Sequence, residues 1–397
     1  MAYTVLARRY RSQSFADVVG QQPIAQTLRN AIAAGRVHHA YLFCGTRGVG
    51  KTSMARLLAR ALNAPATITD CPTPATKEDY PPLDVQERMA AAIMVGQDLN
   101  VIEIDGASNR GVEDARQLIA NAGLAPTGNA HYKVYIIDEV HMLTKDAFNT
   151  LLKIMEEPPS HLKFILCTTE PEKVLPTIQS RCQRFDFRNI PTRQIAEHLH
   201  AVLDKEKINA DDQVIHEIAR QGNGSMRDAL SLMDRLLATG ENPLTFALLE
   251  QMLGLPDRQL VVQLADAMTG GDVAATLAKA DELLRRGISQ DQLILTLIDH
   301  LRQLMLLAAC GDKTDLVDLD ETFRKQLSEQ ARRFDVPALI HAMAMLENVS
   351  RWSRQSSAPR ALLDAALARL AMSDSFAQIA AIATGAGVAP SGGEKKK

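Results

Sequence analysis

The spacing of apolar and polar positions changes along this chain, and the changes divide it into parts. Up to about residue 190, short continuous apolar runs alternate with longer segments of helical spacing. The runs at 41–45, 101–105, 134–138, 164–169 and 184–187 predict strands. Apolar on consecutive positions and separated by helices, they read as the buried parallel strands of an α/β sheet. From 191 to 254 the spacing is helical, over 195–203, 214–220 and 225–238, with a glycine turn at 222–224 and a stop near Gly240. Residues 255–373 are helical again, with Leu293, Leu297, Leu301 and Leu304 on one stripe. After Met372 the chain turns to Ala, Gly and Ser and closes on Gly-Gly-Glu-Lys-Lys-Lys, the composition of a flexible tail. The pattern therefore predicts an α/β domain over 1–190, a small helical domain over 191–254, a larger all-α domain over 255–373 and a tail over 374–397.

Composition narrows the class. With 44 Lys+Arg against 47 Asp+Glu in 397 residues, the net charge of −3 excludes a bulk-basic nucleic-acid coat. A hydrophobic fraction of 46% excludes wholesale disorder. The charge is uneven, however: residues 1–60 hold nine Arg/Lys and a single acid, Asp17, which hints at a phosphate-bearing ligand. Cys44, Cys71, Cys167, Cys182 and Cys310 form no CxxC pair, as suits a reduced cytosolic protein. The first fifteen residues lack the apolar core of a signal peptide. The most apolar stretch, 293–310, is interrupted by Asp299, His300 and Arg302, so no membrane span is expected.

The chemistry is concentrated in one motif. Gly45-Thr46-Arg47-Gly48-Val49-Gly50-Lys51-Thr52 fits the phosphate loop G-x-x-x-x-G-K-[ST], between a predicted strand and a predicted helix at 53–62. Glycines let successive N–H groups converge on one anion, and the helix N-terminus adds its positive end. Lys51 is expected at the β/γ-phosphates and the Thr52 hydroxyl on Mg²⁺. The strand at 134–138 ends in Asp138-Glu139. Asp138 is placed to hold the Mg²⁺ water shell and Glu139 to orient or deprotonate an attacking water, a pairing that favours an ATPase over a kinase.

Further motifs carry a resemblance. Asp138-Glu-Val-His-Met-Leu143, Thr168-Thr-Glu-Pro-Glu-Lys173, Ser180-Arg-Cys182 and Gly224-Ser-Met-Arg-Asp-Ala-Leu-Ser231 occur in the order and spacing of the clamp-loader AAA+ ATPases of bacterial DNA polymerase III. The opening Leu6-Ala-Arg-Arg-Tyr-Arg and Phe15 through Gln21 resemble the same family, as does His38-His-Ala-Tyr-Leu-Phe43. The resemblance spans residues 1–373 and implies an AAA+ fold with a helical lid and an oligomerising collar. It implies a motor subunit that hydrolyses ATP to load a sliding clamp onto primed DNA, within a pentameric ring of clamp-loader subunits in the cytoplasm at the replisome. It also implies roles: Thr169 as the sensor of the γ-phosphate, Arg181 as an arginine finger presented to the neighbouring subunit, and Arg227 as a second sensor on the lid. Arg110, Arg116 and Lys153 are the implied contacts to the DNA backbone.

The chain also departs from that pattern. Family members generally carry four zinc-binding cysteines after the phosphate-loop helix, and here the positions hold Ala64, Asp84, Glu87 and Ala90, with Cys71 the one thiol in the segment. Such a set is a poor tetrahedral zinc site, so none is expected; a Pro-rich loop and a helix over 64–97 are expected in its place. Ser12 and Cys44 replace a usual proline and a usual small residue. His38, His39 and His141 read as a loop and a strand-end polar network, not as metal ligands. A branch-migration motor would lack Ser-Arg-Cys and the second helical domain, and an inert stator would have a broken phosphate loop. A longer scaffolding form would carry further domains, and the final lysines suit either a short form or a boundary.

Overall fold

The computed structural model describes residues 4–68, 70, 80–108, 111, 122–128, 130–254, 257–314, 316–317, 319 and 321–372. The chain divides into two compact units, Met1–Leu244 and Thr245–Lys397.

The first unit is built on five strands: β1 (Ala40–Cys44), β2 (Val101–Asp105), β3 (Lys133–Asp138), β4 (Leu162–Thr168) and β5 (Gln183–Asp186). They pair in parallel in the order β2-β3-β4-β1-β5, so the parallel sheet read from the apolar runs is present. Every residue of β1 and β4 is buried, as continuous apolar runs require when helices cover both faces. Tyr41, Phe43, Ile165 and Cys167 pack on one face with Leu57 and Leu58, while Leu42, Tyr135 and Phe164 pack on the other with Phe148 and Leu151.

The helices of this part are α1 (Leu6–Arg9), α2 (Gln22–Ala33), α3 (Lys51–Asn63), α4 (Leu83–Val95), α5 (Lys145–Glu156) and α6 (Pro176–Gln179). The start of α5 is written locally: Thr144 caps it by accepting the Ala147 N–H at 3.2 Å, and Ala147, Phe148, Leu151 and Met155 form its buried stripe. Three helices follow: α7 (Thr192–Glu206), α8 (Asp212–Gln221) and α9 (Met226–Leu237). They match the three helical runs expected there, each a residue or more longer at its ends or capped, as at Ser225, by a residue the pattern counted as helical.

The segment after α3 is stitched by polar groups. Asn63 exchanges two hydrogen bonds with the Tyr132 backbone, both 2.9 Å. Arg60 donates to Thr67 Oγ1 at 2.8 Å, Gln86 accepts the Ala66 N–H at 3.0 Å, and the Asp70 carboxylate accepts the Phe15 and Ala16 N–H groups. Of the four positions compared with zinc ligands, Asp84 pairs with Arg88 at 3.0 Å on the exposed side of α4, Glu87 is exposed, and Ala64 and Ala90 are buried. Cys71 lies outside the described residues.

The second unit contains α10 (Phe246–Leu253), α11 (Arg258–Thr269), α12 (Val273–Arg285), α13 (Gln290–Cys310), α14 (Glu321–Ala331), α15 (Val336–Ser353) and α16 (Pro359–Ala371). Its spine is α13, whose Leu293, Ile294, Leu297, Leu301, Leu304 and Leu307 are buried in the core. By length and composition α13 suffices to cross a membrane, with a mean hydropathy of 1.6 over its best window. The buried leucine stripe accounts for that hydropathy as helix-bundle packing. His300, inside the same helix, is buried and bonds through Nε2 to Gln330 Oε1 at 2.9 Å, and Gln330 in turn donates to the Val262 carbonyl at 2.9 Å.

Candidate nucleotide site

The carboxyl ends of β1, β3 and β4 meet at one edge of the sheet, and the predicted phosphate loop lies there between β1 and α3. Its glycines have backbone conformations that a side chain would oppose. Gly48 stands at φ +78° and Gly50 at φ +101°, and a Cβ on Gly48 would come within 1.9 Å of Ser225 Oγ. Lys51 is buried and its Nζ donates to the carbonyls of Gly45 and Thr46 at 2.7 and 2.8 Å. Burial pulls this ammonium below its ordinary value, against the opposing pull of Cys167, Glu139 and Asp138. Arg47 is exposed on the loop, Val49 is buried beneath it, and Thr46 Oγ1 donates to Asn189 Oδ1 at 2.6 Å.

Eighty-six residues separate Thr52 from Asp138, yet Thr52 Oγ1 donates to Asp138 Oδ2 at 2.8 Å. Asp138 closes β3, and its Oδ1 accepts the N–H of Glu139 at 3.0 Å. Glu139 has a left-handed backbone at φ +47°, uncommon for a residue with a side chain. Its Oε2 accepts from Thr169 Oγ1 at 2.9 Å, so Thr169, just past β4, stands beside Glu139. His141 bridges the same corner: Nδ1 is 3.0 Å from Thr168 Oγ1 and 3.4 Å from Glu139 Oε2, and Nε2 is 3.1 Å from Glu170 Oε1.

These groups fit a triphosphate with a divalent cation. The hydroxyl of Thr52 and the carboxylate of Asp138 are hard oxygen donors suited to Mg²⁺. Lys51 is already bonded to carbonyl oxygens on the rim of the loop, so exchanging those acceptors for phosphate oxygens needs only a side-chain movement. Such a cation would neutralise charge on the phosphates and order the water shell next to Glu139.

The helical lid closes over this end. Met226 N–H donates to the Gly48 carbonyl at 3.1 Å, and Arg227, exposed on the first turn of α9, has its Cβ 3.2 Å from where a Cβ on Gly48 would stand. Ser225 caps α9 by accepting the Asp228 N–H at 3.2 Å. Arg227 is thus beside its own phosphate loop.

Arg181 is elsewhere. Gln183 on β5 is level with Tyr41 on β1, so Arg181, two residues earlier, lies at the amino end of the sheet. Gly45 is six residues farther along from that level, roughly 20 Å at strand spacing. Arg181 is held there by Glu156 at 2.8 Å and by the Thr177 carbonyl at 2.8 Å. Its neighbour Cys182 anchors the turn; burial pushes that thiol up to about 12. Burial likewise raises Cys44, below the phosphate loop, to about 11. Lys153 is exposed on α5, whereas Arg110 and Arg116 lie outside the described residues.

Two contributors are given no role by the motifs. Gln21 is buried, with Nε2 2.8 Å from the Arg188 carbonyl and 3.4 Å from that of Val49, so it ties the phosphate loop to the strand–lid connection. Asn189 meets Thr46 from that connection. In the sequence Gln21 reads only as the end of the Phe15–Gln21 segment and no local pattern marks Asn189, since both act on chain more than twenty residues away.

Comparison with known proteins gives three adjoining family matches. They are "DNA polymerase III, delta subunit" over residues 20–191, "DNA polymerase III clamp loader subunit, ATPase lid domain" over 194–242, and "DNA polymerase III subunits gamma and tau domain III" over 244–384. DNA polymerase III subunit tau of Escherichia coli is 40% identical over 323 residues, 80% of this chain and 48% of that one. The subunit gamma/tau of Mycobacterium tuberculosis is 38% identical over 92% of this chain and 62% of its own. Subunit gamma of Buchnera aphidicola is 37% identical over 76% of this chain and 80% of its own. The chain spans about half the length of the Escherichia coli relative. Among solved structures, the Thermotoga maritima RuvB Holliday junction branch migration motor has a TM-score of 0.45 at 16% identity, covering 76% of this chain and 80% of that one, too distant for function to carry over.

Proposed function

The chain belongs to the DNA polymerase III gamma/tau family of clamp-loader subunits, and from that premise we propose that it is an ATP-hydrolysing motor subunit. Its substrate would be ATP with Mg²⁺, and its work the loading of a sliding clamp onto primed DNA in the cytosol, at the replisome.

One observation carries the reading. The chain holds a complete phosphate loop with Thr52, Asp138, Glu139 and Thr169 at one end of its sheet, and an anchored arginine, Arg181, at the other. Arg181 cannot reach the nucleotide of its own chain, but it can be offered to a neighbour's. Each chain then supplies half of two catalytic sites, as expected of subunits arranged in a ring, a pentamer in this reading. An arginine supplied in trans stabilises charge on the transferring phosphoryl and can raise the rate by roughly 10³–10⁵. Turnover therefore waits on correct assembly.

Within one chain the division of labour follows the geometry. Lys51 shifts from the loop carbonyls to the β/γ-phosphates. Thr52 and Asp138 hold the cation, and Glu139, with Thr169 against it, orients the lytic water. Arg227 reports phosphate occupancy to the lid, because the first turn of α9 already rests on Gly48. The proposed organisation keeps residues 1–190 as the nucleotide domain, 191–254 as the lid, 255–373 as the collar and 374–397 as the tail. Exposure of Leu295 on α13 and of Ile340 and Trp352 on α15 supports a collar that packs on other subunits. Lys153, Arg110 and Arg116 are proposed to track the DNA backbone.

The test is ATP turnover by the reconstituted assembly with and without sliding clamp and primer–template. Marked stimulation by the two together is expected. Turnover indifferent to both would remove clamp loading, and failure to bind nucleotide would remove the ATPase reading itself.

A further inference from the structure

His141 is a buried titratable side chain, 5% exposed, that the functions assigned above do not use. It stands between two carboxylates, and its surroundings determine what each ring nitrogen can do. On one side Nε2 faces Glu170 Oε1 at 3.1 Å. Glu170 is held ionised, first by its hydrogen bond from Lys173, whose Nζ is 2.7 Å from Oε2. An ionised carboxylate only accepts, so Nε2 carries a hydrogen and the ring cannot turn over without losing that bond. On the other side Nδ1 lies 3.0 Å from Thr168 Oγ1 and 3.4 Å from Glu139 Oε2. Thr168 Oγ1 is itself committed, since it accepts the Glu170 N–H at 3.0 Å. The ring is therefore clamped on three sides, and its Nδ1 edge is presented to the carboxylate expected to handle the lytic water.

Glu139 needs such support. Its left-handed backbone swings the side chain out of the strand direction, and otherwise only Thr169 Oγ1 bonds its carboxylate among the described contacts. A carboxylate with one hydrogen-bond donor can pivot about that bond; the fixed ring edge 3.4 Å from the same oxygen takes up the space it would pivot into. We propose that His141 is a positioning residue for Glu139: anchored by Glu170 and Thr168, its imidazole sets the carboxylate in the orientation that activates water. The inference deepens the ATPase reading and rests on it.

The effect belongs on the chemical step. His141 touches neither the phosphate loop nor the cation donors in any contact described, so nucleotide binding should survive its loss. Misplacing a catalytic group by about an ångström costs on the order of 10²-fold in rate.

The experiment measures steady-state ATP hydrolysis and nucleotide affinity in the reconstituted clamp-loader assembly, with clamp and primed DNA present, for the parent chain, His141→Ala, His141→Asn and Glu170→Gln. In His141→Ala, kcat is expected to fall about 10²-fold while nucleotide Kd stays within about twofold. In His141→Asn, whose amide oxygen can accept the Thr168 hydroxyl near the Nδ1 position, most of the rate should return. Glu170→Gln should lower kcat in the same direction, and as a surface change it tests the clamp even if removal of the ring disturbs folding. Wild-type turnover in His141→Ala overturns the proposal. So does a loss of Kd matching the loss of kcat, or an Asn variant no better than Ala, because each marks a merely structural histidine. A parent assembly that binds nucleotide without hydrolysing it overturns the ATPase reading and the proposal with it, and is distinguished by the parent measurement alone.

Discussion

A Cβ added to Gly48 would meet Ser225 Oγ at 1.9 Å, so the tip of the phosphate loop and the cap of the lid helix occupy adjoining space. Because Met226 N–H also donates to the Gly48 carbonyl at 3.1 Å, whatever reorganises the loop also moves the start of α9, on which Arg227 stands. The phosphate-loop segment and the first turn of α9 are thereby in direct contact.

Gly48→Ala follows directly. The residue stands at φ +78°, and the new methyl would press on the Ser225 side chain. Strain of about 1–3 kcal/mol is expected. Thermal melting of the full chain should shift down accordingly, and titration with a fluorescent adenine nucleotide should show weaker binding. An unchanged melting temperature with unchanged affinity would show that loop and lid do not share this contact.

Arg181→Ala separates binding from assembly-dependent catalysis. Arg181 is about one-third exposed and its ion pair with Glu156 contributes at most about 1 kcal/mol, so the fold should hold. Nucleotide affinity should be preserved, hydrolysis by a ring made only of the variant should collapse, and mixed rings should recover activity at sites next to a parent neighbour. An isolated variant chain turning over as fast as the parent ring would end the trans assignment.

His300 gives the second unit an acid limit. Burial pushes its imidazole below the ordinary 6.5, against weaker opposing effects of Gln330, Asp299 and Asp266. The unfolded chain therefore binds the proton more readily than the folded one. The contribution is complete above pH ~6.5 and declines as pH falls, by at most about 1.4 kcal/mol per pH unit. Denaturant midpoints from pH 8 to 5, followed by circular dichroism and by Trp352, the chain's one tryptophan, should fall on the acid side. The decline should be shallower in His300→Leu, and equal slopes would place the acid sensitivity elsewhere.

Zinc offers a simple discriminating measurement. Asn63, Arg60, Gln86 and Asp70 cross-link the segment over 64–97 where the resemblance would have placed zinc ligands, and Asp84 is spent on Arg88. Metal analysis of the purified chain should find no stoichiometric zinc, and a strong chelator should leave its melting temperature unchanged. One zinc per chain would reverse this expectation.

The parallel sheet, the phosphate loop and the Asp138-Glu139 pair were legible in advance because each is encoded over a few adjacent residues. An apolar run long enough to be buried on both faces must be a core strand, and glycines before Lys51-Thr52 have one common use. For α13 charge counting alone does not separate a bundle spine from a span, and the burial of its leucine stripe in the core adds what the sequence lacked.

The amino-acid order by itself pointed to the elements, the family and the candidate site residues, because hydrophobic period and loop chemistry are local properties. Which groups meet was decided by the tertiary structure. Thr52 reaches Asp138, His141 is wedged between Glu139 and Glu170, Gln21 joins Val49 to Arg188, and Arg181 is placed a sheet's length from its own phosphate loop. Those relations depend on strand order and register, which bring together residues far apart in the chain.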